Sequence, residues 1–173
     1  VTSGNNTAIT AKTTATVEGK VISSTGATVK GANVVTTADS EVSSESGTKI
    51  TASTGTVQIG GTVKTTGTAE NKKTEITGAA GVTTNAGSSV TSVAGTTITA
   101  TTGAATINGA VSTTGTGKNT TVTASGTNGA VTVGATGSVS ATSGTTAVTG
   151  KTGVTTDAGS TVSSLNGTTV TAT

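Results

Sequence analysis

The chain has 173 residues and a formal net charge of +2, with no cysteine, histidine, arginine, proline, methionine or aromatic residue. Threonine fills 50 positions and glycine 26, so the large side chains that fill the wide interior of an ordinary globular domain are missing. This composition excludes disulfide bonds, a basic patch for nucleic acid and an apolar run long enough to insert into a membrane.

Short apolar segments bounded by Gly, Asn and Ser follow one another about every eight residues along the chain. Their β-branched residues alternate with hydroxyl residues, which predicts short strands with one buried side. Every third segment belongs to the same predicted face. The first face contains Ile9, Val29, Ile50, Ile76, Ile98, Val122, Val148 and Val170. The second contains Val17, Val35, Ile59, Val82, Ile107, Val131 and Val154. The third contains Val21, Val42, Val63, Val90, Val111, Val139 and Val162.

Internal near-copies set the period of this pattern. Residues 81–101 are repeated almost unchanged at 153–173, an offset of 72, and residues 40–53 resemble 88–101, an offset of 48. Both offsets are multiples of 24, and a period of 20 to 50 residues is typical of solenoids. The sequence predicts an all-β fold, a right-handed parallel β-solenoid (β-helix) of about seven three-stranded turns of about 24 residues. Residues 1–173 form one domain in this interpretation.

A short glycine motif connects the second face to the third. It occurs at residues 17–21, 59–63 and 107–111, with Gly19, Gly61 and Gly109 between two apolar residues. We expect a tight corner at each, in which glycine takes a backbone angle that other residues avoid. A phosphate-binding glycine loop would require a following helix, which the sequence does not predict.

Reactive side chains are scarce. General acid–base and nucleophilic catalysis mostly use His, Cys or converging carboxylates. Only Asp39, Glu41 and Glu45 are close together among the acidic residues. A solvated acidic face is the simpler interpretation of these three, and a loose Ca²⁺ site is the alternative. The sequence predicts a non-enzymatic protein without catalytic, cofactor-binding or metal-binding residues.

Threonine follows seven of the eight first-face positions, which predicts a row of outward hydroxyl groups. The row before these positions is interrupted, among others, by Lys49 and Glu75, which we expect to pair across adjacent turns. Two uninterrupted Thr rows are typical of ice-binding solenoids, so ice binding is a less favoured alternative to a solvated face.

Two longer connections occur between the third face and the first. They comprise residues 67–74 and 115–120, which lie 48 residues apart and should protrude from the same corner two turns apart. Insertions on one edge of a solenoid often carry binding. Lys72, Lys73 and Lys118 are the candidate ligand-contact residues, and tolerated surface insertions are the alternative.

The tandem turns at 98–115 and 121–141 resemble those of filamentous haemagglutinin-like exoproteins, the adhesins that bacteria secrete by the two-partner route. The resemblance covers nearly the whole chain. It implies an extracellular or cell-surface location and a structural or adhesive rod, the shaft of an adhesin. A host surface, extracellular matrix or polysaccharide is the implied partner. A self-assembling fibre subunit that stacks end to end is the alternative, because the chain begins and ends within the repeat pattern.

Overall fold

The computed structural model describes residues 1–173 and contains 23 short β-strands in three parallel sheets. The first sheet contains β2 (Thr7–Thr10), β5 (Gly26–Gly31), β8 (Gly47–Ala52), β11 (Thr74–Gly78), β14 (Thr96–Ala100), β17 (Thr120–Ala124), β20 (Thr146–Gly150) and β23 (Thr168–Ala172). The second sheet contains β3 (Thr14–Val17), β6 (Asn33–Thr36), β9 (Thr56–Ile59), β12 (Gly81–Thr84), β15 (Ala105–Ile107), β18 (Ala130–Val133) and β21 (Gly153–Thr156). The third sheet contains β1 (Thr2–Ser3), β4 (Lys20–Ser23), β7 (Glu41–Ser44), β10 (Thr62–Thr65), β13 (Ser89–Ser92), β16 (Ala110–Thr113), β19 (Ser138–Ala141) and β22 (Thr161–Ser164).

The chain visits the three sheets in strict rotation and pairs each strand with the strand three places later. This is a parallel β-solenoid of about seven turns, as the sequence predicts. Parallel strands lie about 4.8 Å apart, so an eight-stranded sheet extends about 34 Å along the stack. The structure contains no helix long and apolar enough to span a membrane. The right-handed winding stays a prediction.

The turns are less uniform than a fixed period of 24 implies. The first-face positions, from Ile9 to Val170, follow one another at intervals of 20, 21, 26, 22, 24, 26 and 22 residues. The mean is about 23 residues per turn. Ile50 and Ile98 are two turns apart, and Ile98 and Val170 are three turns apart, which accounts for the offsets of 48 and 72.

The first and third faces are confirmed position by position. Every predicted first-face residue is paired in register with the next, and so is every third-face residue. Except for Ile9, Val162 and Val170 in the end turns, they belong to one continuous core of 26 buried residues, all of them Val, Ile or Ala. Each fully buried Val or Ile contributes about 1.5–3 kcal/mol of hydrophobic stabilisation.

The second face is wrong in two respects. Val35 points outward, in register with Thr16 and Gln58, because its neighbour Val34 occupies the inward position and side chains alternate along a strand. The other predicted residues belong to two separate inward rows rather than one. One row contains Ala15, Val34, Val57, Val82, Ala105, Val131 and Val154. The other contains Val17, Thr36, Ile59, Thr84, Ile107, Val133 and Thr156.

Buried hydroxyl groups line the corner between the third and first sheets. The Thr120 hydroxyl lies 2.8 Å from that of Thr113 across the corner and donates to the Ser140 carbonyl in the next turn, at 2.6 Å. Thr48, Thr74, Thr96 and Thr146 make the same bond to the next turn. We call these five threonines the hydroxyl ladder. A buried hydroxyl is costly without a partner, so the ladder lets threonine fill a narrow interior at little cost.

The glycine corners are confirmed, but the predicted reason for glycine is wrong. Gly19, Gly61 and Gly109 lie between the second and third sheets and none has a positive φ. At Gly61 and Gly109 the constraint is space, because an added Cβ would collide with the Ser40 or Ser88 backbone of the preceding turn. Gly19 has open space around it. Close stacking of turns, rather than a special backbone angle, therefore requires glycine at two of the three corners.

The connections between sheets differ in length from turn to turn. The second-to-third corner has two residues at 18–19, 60–61 and 108–109 and four residues at 37–40, 85–88, 134–137 and 157–160. The third-to-first connections at residues 66–73 and 114–119 are long, whereas the others have two to four residues. Each long connection follows a two-residue corner, but the corner at 18–19 is followed by a short connection, so the strands stay in register in turns of different length.

Candidate functional site

The two long connections lie close together on one edge of the solenoid. We call residues 66–73 loop 1 and residues 114–119 loop 2; each begins and ends one residue before its predicted bounds, because Thr74 and Thr120 start strands. The Lys118 Nζ atom in loop 2 lies 2.6 Å from the Glu70 Oε1 atom in loop 1. These residues are 48 positions apart in the chain. The prediction that both loops protrude from one corner, two turns apart, is confirmed.

A cleft of about 260 Å³ lies between the loops, above the short connection that joins β13 to β14. We call it the loop cleft. It is lined by Glu70, Lys73, Ala94, Gly95, Thr97, Gly117, Lys118, Asn119 and Thr121. Ala94 is the single apolar residue among them, so the cleft is a polar surface with room for a small hydrated group.

The cleft forms because one turn with a short connection lies between two turns with long ones. Its floor is Gly95, which has a positive φ of 145°, and the aliphatic stem of Lys73 lies over it. Loop 2 is fixed to the next turn, since the Gly117 amide donates to the Ser143 hydroxyl and the Asn119 side-chain oxygen accepts from the Thr145 amide. Loop 2 is therefore held by its own contacts before any ligand arrives.

The predicted contact lysines have three different environments. Lys73 lines the cleft and takes part in none of the four ion pairs of the structure. Lys118 lines it as well, but its charge is paired with Glu70. Lys72 lies outside the lining, where its aliphatic chain covers Gly67. The structure therefore brings Lys73 and Lys118 together and separates Lys72 from them.

Glu70 is the acidic member of the cleft. The hydrogen bond from Lys118 lowers the pKa of the Glu70 carboxyl below its ordinary value, and the charges of Lys118 and Lys73 act in the same direction. Glu70 is thus ionised at neutral pH, and the two lysines leave the cleft with one net positive charge. The Glu70 carboxylate therefore halves the positive charge of the cleft, and the predicted set of contact residues does not include it.

The outward Thr row of the first sheet is confirmed, with Thr10, Lys30, Thr51, Thr77, Thr99, Thr123, Thr149 and Thr171 in register. The second row is interrupted where predicted, and the Lys49 and Glu75 side chains there are 3.5 Å apart. Four pairs of outward positions, on β14, β17, β20 and β23, lack charge. Seven of those eight positions are Thr and the eighth is Ala147.

The acidic residues near position 40 do not converge. Glu41 lies between Lys64, at 2.9 Å, and Lys20, at 3.6 Å, and the Lys64 hydrogen bond holds the Glu41 pKa below its ordinary value. No group of three or more His, Cys, Asp or Glu residues is arranged to hold a metal ion. Glu41 is thus the centre of an ion-pair row on the third sheet, and its oxygens are occupied by lysines.

Comparison with known proteins finds no matching family model, no similar curated protein and no matching solved structure. The resemblance to filamentous haemagglutinin-like exoproteins therefore stays a prediction.

Sequence reasoning missed the part of the cleft lining that lies outside the two loops. Ala94, Gly95, Thr97 and Thr121 come from the short connection and from strands beside the loops, and no local motif distinguishes them. Glu70 carried a signal, since an acidic residue in one inserted segment lies 48 positions before a lysine in the other. A search for opposite charges at whole-turn separations would have found that pair.

Proposed function

We propose that this protein is a non-enzymatic rod that serves as the shaft of an extracellular adhesive protein on a bacterial surface. Continuous register is the observation that carries the proposal. Three sheets pair strand after strand without a break, and the buried positions of each turn are filled by the same few small residue types. A molecule of this kind holds two points apart at a distance set by the number of turns.

Distributed stability supports the same role. Each turn contacts mainly the turns above and below, through backbone hydrogen bonds, buried Val and Ile, and the hydroxyl ladder. Stability in such an array is a sum over neighbouring turns, so the rod can be lengthened without redesign. It also requires no disulfide bond, which suits a chain without cysteine.

The adhesive part of the proposal depends on the loops. Loop 1 and loop 2 are the longest departures from the repeat, and together they form a concave polar surface. Binding residues are often carried on loops held by a rigid scaffold. A host surface, extracellular matrix or polysaccharide is the kind of partner that we propose for this edge. The self-assembling fibre and the ice-binding solenoid stay predictions.

Deletion of one turn tests the rod. Removing Ala100–Thr123 joins Thr99 to Ala124, which are adjacent in an equivalent strand because Ala100 and Ala124 are register partners. We expect a folded protein that is shorter by about 4.8 Å in small-angle X-ray scattering, with the same cross-section. The matched control removes Ala100–Val111, half a turn, and should fail to fold because inward and outward faces no longer match. A folded half-turn variant, or an unfolded full-turn variant, would contradict interchangeable turns.

A further inference from the structure

We propose that the loop cleft binds one carboxylate-bearing sugar residue of a glycan chain. This inference deepens the proposed function by naming a ligand class, and it rests on the protein being displayed where glycans occur. Lys73 would pair with the carboxylate while the Thr97 and Thr121 hydroxyls bond the sugar hydroxyls.

The charge of the cleft limits the ligand. Lys73 has no carboxylate partner, whereas Lys118 is neutralised by Glu70 at 2.6 Å. One unpaired ammonium group favours a single negative charge. The nearby Glu70 carboxylate repels a ligand that carries several, such as a phosphate dianion.

The residues that line the cleft limit the polarity and the size of the ligand. The cleft offers ammonium and hydroxyl donors and a single apolar residue, Ala94, so an apolar ligand would gain little burial there. A volume of about 260 Å³ equals that of roughly nine water molecules, which is enough for one sugar ring. A group rich in hydroxyls with one carboxylate satisfies both limits.

The surroundings indicate a chain rather than a free small molecule. Thr97 and Thr121 belong at once to the cleft and to the outward surface of the first sheet. Thr99 and Thr123 continue the hydroxyl surface from there. A bound sugar residue can therefore extend into a glycan along these threonines without meeting charge, since no Lys, Asp or Glu occupies the four outward positions of β14 and β17.

The backbone around the cleft indicates that the site is formed before a ligand binds. Gly95 and Gly117 both have positive φ; Gly95 is buried beneath the Lys73 stem, whereas Gly117 is exposed at the cleft surface. Loop 2 is held by Ser143 and Thr145 of the next turn, so the cleft exists before a ligand binds. Preorganisation of this kind reduces the entropy lost on binding.

The test is a titration of the 173-residue protein with methyl β-glucuronide, followed by amide chemical shifts. We expect shifts at Gly95, Gly117 and Asn119 and a dissociation constant of about 1 mM, as befits a ligand of this size. Methyl β-glucoside, which lacks the carboxylate, and inorganic sulfate serve as comparison ligands and should each bind at least about threefold more weakly. Equal binding of the glucoside, or tighter binding of sulfate, would overturn the proposal, as would the absence of shifts at these amides.

Three variants make the test more specific. Lys73→Gln should weaken glucuronide binding at least about threefold, whereas Lys151→Gln, which removes an exposed lysine at a different corner, should leave it unchanged. Glu70→Gln removes the repelling carboxylate and frees Lys118, so it should strengthen binding, which a merely disturbed loop would not do. Equal losses in both lysine variants would mean general attraction to a cationic protein. Because the turn-deletion experiment does not involve a glycan, it can succeed when the titration fails, and the two proposals fail separately.

Discussion

The two halves of the solenoid have the same interior and different exteriors. Thirteen of the sixteen charged residues lie before residue 76, and three of the four ion pairs join residues of that half. After residue 76 the strands present almost only hydroxyl and methyl groups outward. Both halves nevertheless keep the same three sheets in register and the same inward rows. The inward side chains and the backbone pairing therefore determine the fold, and the outward residues are free to serve other purposes.

Equivalent core substitutions in the two halves should have equal and large effects. Ile50→Ala and Ile98→Ala each remove a fully buried side chain from the same inward row, and each should lower the free energy of unfolding by about 2–5 kcal/mol. Urea unfolding followed by circular dichroism measures both. Hydrogen exchange should accompany it, because long repeat arrays can lose two-state behaviour. If only one of the two substitutions lowers the free energy of unfolding, the outward residues of the two halves contribute unequally to stability, and the interiors are not equivalent in effect.

Substitutions in the row that contains the hydroxyl ladder should change the free energy of unfolding less than the core substitutions do. Thr120→Val removes a buried hydroxyl that donates to the Ser140 carbonyl and contacts Thr113, and should cost about 1–3 kcal/mol. Thr7→Val is the matched control, because the Thr7 hydroxyl is buried in an equivalent position but lacks a partner. Its loss should be neutral or stabilising. Similar costs for both variants, measured by thermal unfolding, would contradict the hydrogen-bonding role of the ladder.

The smallest effect concerns the ion pairs of the N-terminal half. The Glu41 pKa is lowered in the folded protein, chiefly by Lys64, so the pair stabilises the fold above the unfolded-state pKa of about 4.3. That contribution, below about 1 kcal/mol, is lost as pH falls through the lower folded-state value. Glu41→Gln should therefore reduce stability at pH 7 and flatten its decline below about pH 4.5. An unchanged acid profile in urea unfolding at several pH values would show that Glu41 does not contribute.

Much of this fold can be predicted from the sequence because β-branched residues occupy equivalent places in successive turns. All eight first-face and all seven third-face positions were found in this way. Val35 could not be placed, since adjacent Val34 and Val35 fit an inward position equally well and only the register with Ala15 and Val57 decides between them. The glycine corners were located correctly, but the reason for glycine at Gly61 and Gly109 is the neighbouring turn, which local sequence does not describe.

The candidate site was predictable only in outline. Two inserted segments 48 residues apart indicate a shared corner, and in the structure an ion pair between Glu70 and Lys118 joins them. The cleft itself depends on the short connection between them, which leaves Thr97 and Thr121 of β14 and β17 at the cleft surface. The connection between β13 and β14 has an ordinary length, so nothing in its sequence marks it as part of a site. Its contribution to the cleft is seen only when the neighbouring turns are stacked on it.

Parallel pairing between successive turns has a mechanical consequence. The hydrogen bonds between strands run along the stack. Tension applied to a chain end peels the outermost turn, whose bonds break one after another, whereas inner interfaces share the load over three sheets. Turns should detach one at a time, each releasing about 23 residues, or about 75 Å of extended chain, in place of about 4.8 Å of rod. Such a shaft yields in many small steps under load and keeps the remaining turns folded.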